Sequence, residues 1–173
     1  MKIEKSESTY PSVVAELERC GLLLQQDKKL TSVVGLVTGE SLPTSWWSHP
    51  RAQEIFNILQ RLDDIALPTR LVAKKVTLVH RRLWPALLTV ATSNEAWQRP
   101  VKETDAKRIQ ERLLAVAREV HTESGKHVVV LEPWSDWAKR EHVKPIAIDD
   151  ARAALEQAVL NIGGTSRLLP WHH

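Results

Sequence analysis

The residues best suited to acid–base chemistry lie in the segment EVHTESGKH, at positions 119–127. Glu119 and Glu123 are four residues apart, so a helix through this segment would place both carboxylates on one face. A helix that ends near Gly125 would turn the chain there and could bring His121 and His127 together beside Glu123. We therefore take His121, Glu123 and His127 as candidate catalytic residues. The alternative is that the histidines are hydrogen-bonded within the fold and have only a structural role. The spacing of the two histidines matches no zinc signature, so no metal is expected.

Two other segments, TSWWSHPR at 44–51 and KKVTLVHRRLWP at 74–85, carry residue types that bind phosphates and bases. Lysine and arginine form charge-assisted hydrogen bonds with phosphate oxygens, and tryptophan stacks on bases. The basic residues flank one predicted strand, which spans only about 20 Å and could follow a single phosphate backbone. The alternative is that the arginines pair with nearby carboxylates and the tryptophan belongs to the core. The candidate nucleic-acid-binding residues are Trp47, His49, Lys74, Lys75, His80, Arg81, Arg82 and Trp84.

The adjacent tryptophans Trp46 and Trp47 raise a separate structural question. Consecutive side chains point to opposite sides of a strand, or about 100° apart on a helix, so they cannot easily share one core face. We therefore expect one indole to be buried and the other to be more exposed.

Composition restricts the class of protein. The 173 residues carry a net charge of only +3, so any contact with nucleic acid must come from a local patch. The single cysteine, Cys20, excludes an internal disulfide, and the sequence contains neither a signal-peptide pattern nor an apolar run long enough to cross a bilayer. A cytoplasmic protein is expected. No dinucleotide-binding, P-loop, hydrolase or zincin motif occurs, so no cofactor is expected.

The elements that would position these residues follow from hydrophobic periodicity and turn signals. The patterns predict one α+β domain over residues 1–173, with several helices packed on a small β-hairpin or sheet and with mobile ends at 1–8 and 167–173. A hairpin is predicted from strands at 70–73 and 76–80 with its turn at Lys74 and Lys75, and a strand buried on both faces is predicted for HVVVLE at 127–132. Helices are predicted at 10–20, 31–39, 50–62, 83–91, 105–125 and 149–162.

The same three segments resemble an uncharacterised group of bacterial proteins loosely related to the AlkZ-type DNA-crosslink glycosylases, a winged-helix family. The resemblance covers roughly residues 22–137 and involves runs like G-S-W-W-G-H-P, K-V-T-F-V-H-R-R-L-W-P-A-L and E-V-H-T-E-S-G-x-H. It implies a winged-helix-like arrangement and a link to DNA repair. Thr44 and Ser48 stand where glycines are expected, and the catalytic Gln-x-Gln motif of the glycosylases is missing, since the chain has only Gln25-Gln26. The resemblance therefore does not imply glycosylase activity.

These observations lead to three functional hypotheses. The first is a DNA-binding protein linked to DNA repair, which grips phosphates with the lysines and arginines and stacks bases on Trp47 or Trp84. The second is an enzyme that uses a histidine-based site on a small phosphorylated or nucleotide-like substrate. The third is a non-catalytic module whose exposed indoles contact a protein partner.

Overall fold

The computed structural model describes residues 2–121 and 127–172, with side chains described from residue 9 onward except at 119–121 and 127. The chain forms a mixed helix and sheet structure, which confirms the predicted α+β class. Its helices are α1 (Lys2–Cys20), α2 (Val33–Thr38), α3 (Ala52–Arg61), α4 (Trp84–Ala91), α5 (Ala106–Glu111), α6 (Trp134–Glu141) and α7 (Ile148–Asn161). Its strands are β1 (Leu22–Leu24), β2 (Ala66–Thr69), β3 (Thr77–His80), β4 (Val116–His121) and β5 (His127–Glu132).

Helices α2, α3, α4 and α7 form where the periodicity predicts them, whereas α1 ends at Cys20 as predicted but begins at Lys2 and not at residue 10. Local signals define the ends of α2 and the start of α4. Helix α2 begins at Ser32, whose hydroxyl accepts a hydrogen bond from the N–H of Gly35, and it ends at Gly39, which adopts a left-handed φ of 74°. In α4, Pro85 occupies the first turn, where its missing N–H costs nothing, and the rest of the helix is largely buried.

The strands form two antiparallel sheets, one in the order β1-β3-β2 and one made of β4 and β5. The predicted first hairpin strand at 70–73 is wrong, because the partner of β3 is β2, with Ala66 opposite His80 and Thr69 opposite Thr77. Residues 70–76 form the connection instead. Ala73 and Lys74 have positive φ values of 53° and 60°, a left-handed geometry that no regular strand adopts. The predicted turn at Lys74 and Lys75 is therefore correct.

The predicted helix at 105–125 is also wrong beyond its first turns. Helix α5 ends at Glu111, and Leu113 takes a positive φ of 50° that breaks the helical path. The buried Trp134 stabilises this break because its indole N–H donates to the carbonyl of Leu113 at 2.8 Å. The chain then continues as β4, since six residue pairs with β5 replace the helical hydrogen bonds.

Strand β5 forms as predicted, but the expectation that it is buried on both faces is wrong. Its residues from Val128 to Leu131 each expose 36–41% of their surface. Strands β4 and β5 form a two-stranded ribbon, and among the described residues β5 pairs with β4 alone. A continuous apolar run indicates a strand, but a covering layer is also needed to bury it.

The core lies between the three-stranded sheet and the helices and includes a cluster of three indoles. Trp137 is fully buried and makes edge-on contacts with Trp84 and Trp134, each with ring centroids 5.3 Å apart. Helix α7 packs against α4, and the segment that follows it carries Leu169, which has no exposed surface. Part of the segment predicted to be a mobile C-terminal end is thus packed into the core. None of the described helices combines the length and apolar character that crossing a bilayer requires.

Candidate nucleic-acid interface

The adjacent tryptophans behave as their spacing predicts. Trp46 is 3% exposed and belongs to the core, whereas Trp47 is 62% exposed. The two rings stack with their centroids 4.0 Å apart and their planes 24° apart. Phe56 of α3 lies beside Trp47 at 6.0 Å in a tilted arrangement. The buried indole thus supports the exposed one from beneath.

The loop that carries these rings is held by Gln26, which follows β1. The side-chain amide of Gln26 donates to the carbonyl of Thr44 at 2.8 Å, and its carbonyl oxygen accepts from the N–H of Trp46 at 3.2 Å. Ser48 closes the short turn by donating from its hydroxyl to the carbonyl of Ser45. These bonds fix Trp47 relative to the sheet.

Sheet topology brings several lysines to the same end of the sheet as Trp47. Because β1 and β3 are antiparallel with Leu24 opposite Thr77, the residues after β1 and those before β3 lie together. The N–H of Gln25 donates to the carbonyl of Val76 at 2.9 Å, which joins the two segments. Lys28, Lys29 and Lys74 are exposed here, and we call them, together with Trp47, the lysine–tryptophan surface.

Lys28 and Lys29 were not among the sequence candidates. Their pair follows the apolar run of β1, Leu22–Leu24, after the polar residues QQD, but that run is too short to indicate a strand without its partner. Lys75, which was a candidate, is engaged in an ion pair with Asp27 at 2.5 Å. Partial burial raises the pKa of Asp27, but the hydrogen bond from Lys75 and two backbone N–H donors outweigh it and bring that pKa below its usual value. Lys75 thus holds the turn to the segment after β1.

The two arginines lie at the opposite end of β3, where that strand meets the C-terminus of α1. Arg82 donates to the carbonyls of Glu18 at 2.9 Å and Arg19 at 3.3 Å, so it caps the last turn of α1. Arg81 is exposed. The expectation that all four basic residues bind one phosphate backbone is therefore corrected for Arg82, because its guanidinium already binds the C-terminal carbonyls of α1.

The two histidines of these segments, His49 and His80, each accept a hydrogen bond from a backbone N–H two residues further along the chain. Nδ1 of His49 accepts from the N–H of Arg51 at 3.0 Å, and its Nε2 lies 3.3 Å from Glu40. Nδ1 of His80 likewise accepts from the N–H of Arg82 at 3.2 Å. Both imidazoles therefore shape turns at the start of helical segments.

His80 is only 6% exposed, and its Nε2 has no hydrogen-bond partner among the described residues. Burial lowers the pKa of His80, the carboxylate of Glu18 opposes that shift, and the nearby arginines add to it. An imidazole this enclosed presents little surface to a phosphate, so the structure does not support His80 as a nucleic-acid-binding residue.

Trp84 lies in the core and not on a ligand-binding surface. It is 8% exposed, its indole N–H donates to the carbonyl of Val79 at 2.9 Å, and its ring packs on Trp137. No face of this indole is left for a base. The alternative in which this tryptophan belongs to the core is the correct one.

The candidate catalytic group falls at the end of the β4–β5 ribbon. The register places His121 directly opposite His127, so their backbones are neighbours across strands and not across a helix end. Glu123 lies outside the described residues, as do the side chains of both histidines. The acid–base site therefore stays a prediction. In the part of the chain that the structure describes, no three potential ligands converge as a metal site would require.

No family model matches this chain, and no curated protein or solved structure matches it either. The geometry and charge of the site itself are therefore what indicate its function.

Proposed function

We propose that the protein binds nucleic acid through the lysine–tryptophan surface. The observation that carries this proposal is the position of Trp47, which is 62% exposed and stacked on a buried indole at the sheet end where the lysines lie. A large exposed indole costs free energy in water, which a base stacked on it would recover.

The lysines supply the electrostatic part of the proposed interaction. Lys28, Lys29 and Lys74 are exposed, and Lys75 is held by Asp27, so three cations remain for phosphates. Each phosphate that they neutralise releases condensed counterions, which makes binding weaken as salt increases. A chain with a net charge of +3 needs such a concentrated patch to bind a polyanion.

The expected location, the kind of nucleic acid, the link to repair and the winged-helix-like arrangement also belong to this proposal. A cytoplasmic location fits the single cysteine, and DNA as the nucleic acid, a link to repair and a winged-helix-like arrangement rest on the sequence resemblance. In that arrangement the β4–β5 ribbon would take the place of the wing.

The test measures binding of a labelled DNA oligonucleotide by fluorescence anisotropy across a range of salt concentrations. Replacing Lys28, Lys29 and Lys74 together with alanine should reduce the magnitude of the slope of log K against log salt by about 2 to 3, since each phosphate contact contributes about 0.7 to 0.9. The matched control replaces three exposed lysines elsewhere: Lys102, Lys107 and Lys139.

The control changes the net charge by the same amount but should leave most of the slope intact. An equal loss in both triple variants would mean that net charge alone drives binding and that the surface is not a site. Absence of binding by the parent protein at low salt would refute the proposal, and Trp47 would then be better explained as an anchor for a protein partner.

A further inference from the structure

We infer that the lysine–tryptophan surface takes unpaired bases, so that its ligand is single-stranded nucleic acid or a strand with splayed bases. This inference rests on the proposed function and names the class of ligand. It follows from the way in which Trp46, Trp47 and Phe56 are arranged.

The exposed indole is one end of a stacked column. Trp46 covers one face of Trp47 at 4.0 Å and is itself in the core, while Phe56 stands at the side, tilted by 43°. The 62% exposure of Trp47 therefore includes its outer face. A base stacked there would extend the column by one further ring.

The column is preorganised by its surroundings. Gln26 bonds to the backbone on both sides of the loop, at Thr44 and Trp46, and the N–H of His49 donates to the carbonyl of Trp46 at 3.0 Å. Little freedom remains to be lost when a base stacks, so a larger part of the stacking free energy appears as affinity.

A paired duplex does not present what this column can bind. In a duplex each base face is covered by its neighbours, and only the polar edges are reachable from the grooves. Trp47 offers a broad π-face and a single N–H donor, which suits a base face and not a donor–acceptor edge. The lysines add point charges that do not distinguish a single strand from a duplex.

Helix α3, which begins after this loop, presents two exposed amide side chains that are partly engaged with each other. Two of its exposed polar side chains bond to each other, with the amide of Gln53 donating to the side-chain oxygen of Asn57 at 3.1 Å. This bond occupies one N–H of Gln53 and one acceptor site of Asn57, so part of their capacity to bind a base edge is already used.

The experiment compares three ligands of equal length and equal phosphate count per strand: a mixed-sequence single strand, a strand made entirely of abasic residues, and a blunt duplex. The full-length parent protein should bind the intact strand on the order of 5- to 150-fold more tightly than the abasic strand, the range expected for one stacked base. Trp47→Leu should remove most of this difference by weakening the binding of the intact strand, whereas Trp47→Phe should restore part of it.

The outcomes separate this inference from the proposed function. Failure of the parent to bind any of the three ligands overturns the proposed function and this inference together. Equal binding of all three ligands, unaffected by Trp47→Leu, would leave phosphate binding in place and overturn the role of the unpaired base. Duplex binding that depends on Trp47 as strongly as single-strand binding would also overturn it, because the indole would then act as a wedge in paired DNA. Circular dichroism confirms that each variant is folded before binding is measured.

Discussion

Replacing Arg82 with alanine should destabilise the protein, whereas the same change at its neighbour Arg81 should not. Both arginines are exposed and both carry the same charge, so they form a natural matched pair. They differ because Arg82 donates to two carbonyls at the C-terminus of α1, and these carbonyls have no partner within their own helix.

The expected loss follows from these contacts. The guanidinium bond to the carbonyl of Glu18 is 2.9 Å long, and the bond to Arg19 is longer at 3.3 Å. Hydrogen bonds to charged groups contribute about 1.5–3 kcal/mol when buried, and water at this exposed site reduces that value. A positive charge at a helix C-terminus adds about 0.3–1 kcal/mol. Together these terms predict a loss of about 1–2 kcal/mol for Arg82→Ala.

Urea unfolding followed by tryptophan fluorescence measures this loss, because the core contains several indoles. Arg81→Ala should stay within about 0.5 kcal/mol of the parent protein. Arg82→Lys keeps the charge but not the planar donor fork, so it should recover only the charge contribution of about 0.3–1 kcal/mol. Equal losses for both alanine variants, or no loss for Arg82→Ala, would refute the assignment of Arg82 as the cap of α1.

Three further substitutions test other contacts. Burial lowers the pKa of His80, so the unfolded chain binds a proton more readily than the folded protein, and the parent should lose stability as the pH falls below about 6.5. Unfolding at two pH values should show a smaller loss for His80→Asn, and identical losses would contradict this reasoning. Gly21→Ala should lower the free energy of unfolding in urea by at least about 1–2 kcal/mol, because Gly21 has a φ of 93° and an added Cβ would lie 2.7 Å from the side chain of Leu83. An unchanged free energy of unfolding would contradict that packing. Trp84→Phe should lower the free energy of unfolding by about 2–4 kcal/mol, because the bond to Val79 and buried volume are both lost. The nucleic-acid affinity of the folded variant should equal that of the parent, and a selective loss of affinity would show that Trp84 belongs to the binding site.

The sequence by itself determined the elements whose signals are local. The helix α3 periodicity and the Ser32 and Gly39 ends of α2 depend on residues within a few positions of one another, so they could be predicted without knowledge of the fold. The unequal exposure of Trp46 and Trp47 also followed from adjacency, because neighbouring side chains cannot enter the same face.

The tertiary structure alone decided features that depend on distant partners. Strand β4 replaced a predicted helix because β5 pairs with it and Trp134 holds the break at Leu113, and neither contact is visible in a local window. The lysine–tryptophan surface exists because β1 pairs with β3 and thereby brings Lys28 and Lys29 to the end of the sheet that carries Lys74. Strand pairing joins residues that are far apart in the chain, so periodicity can predict which segments form elements but not which surfaces those elements bring together.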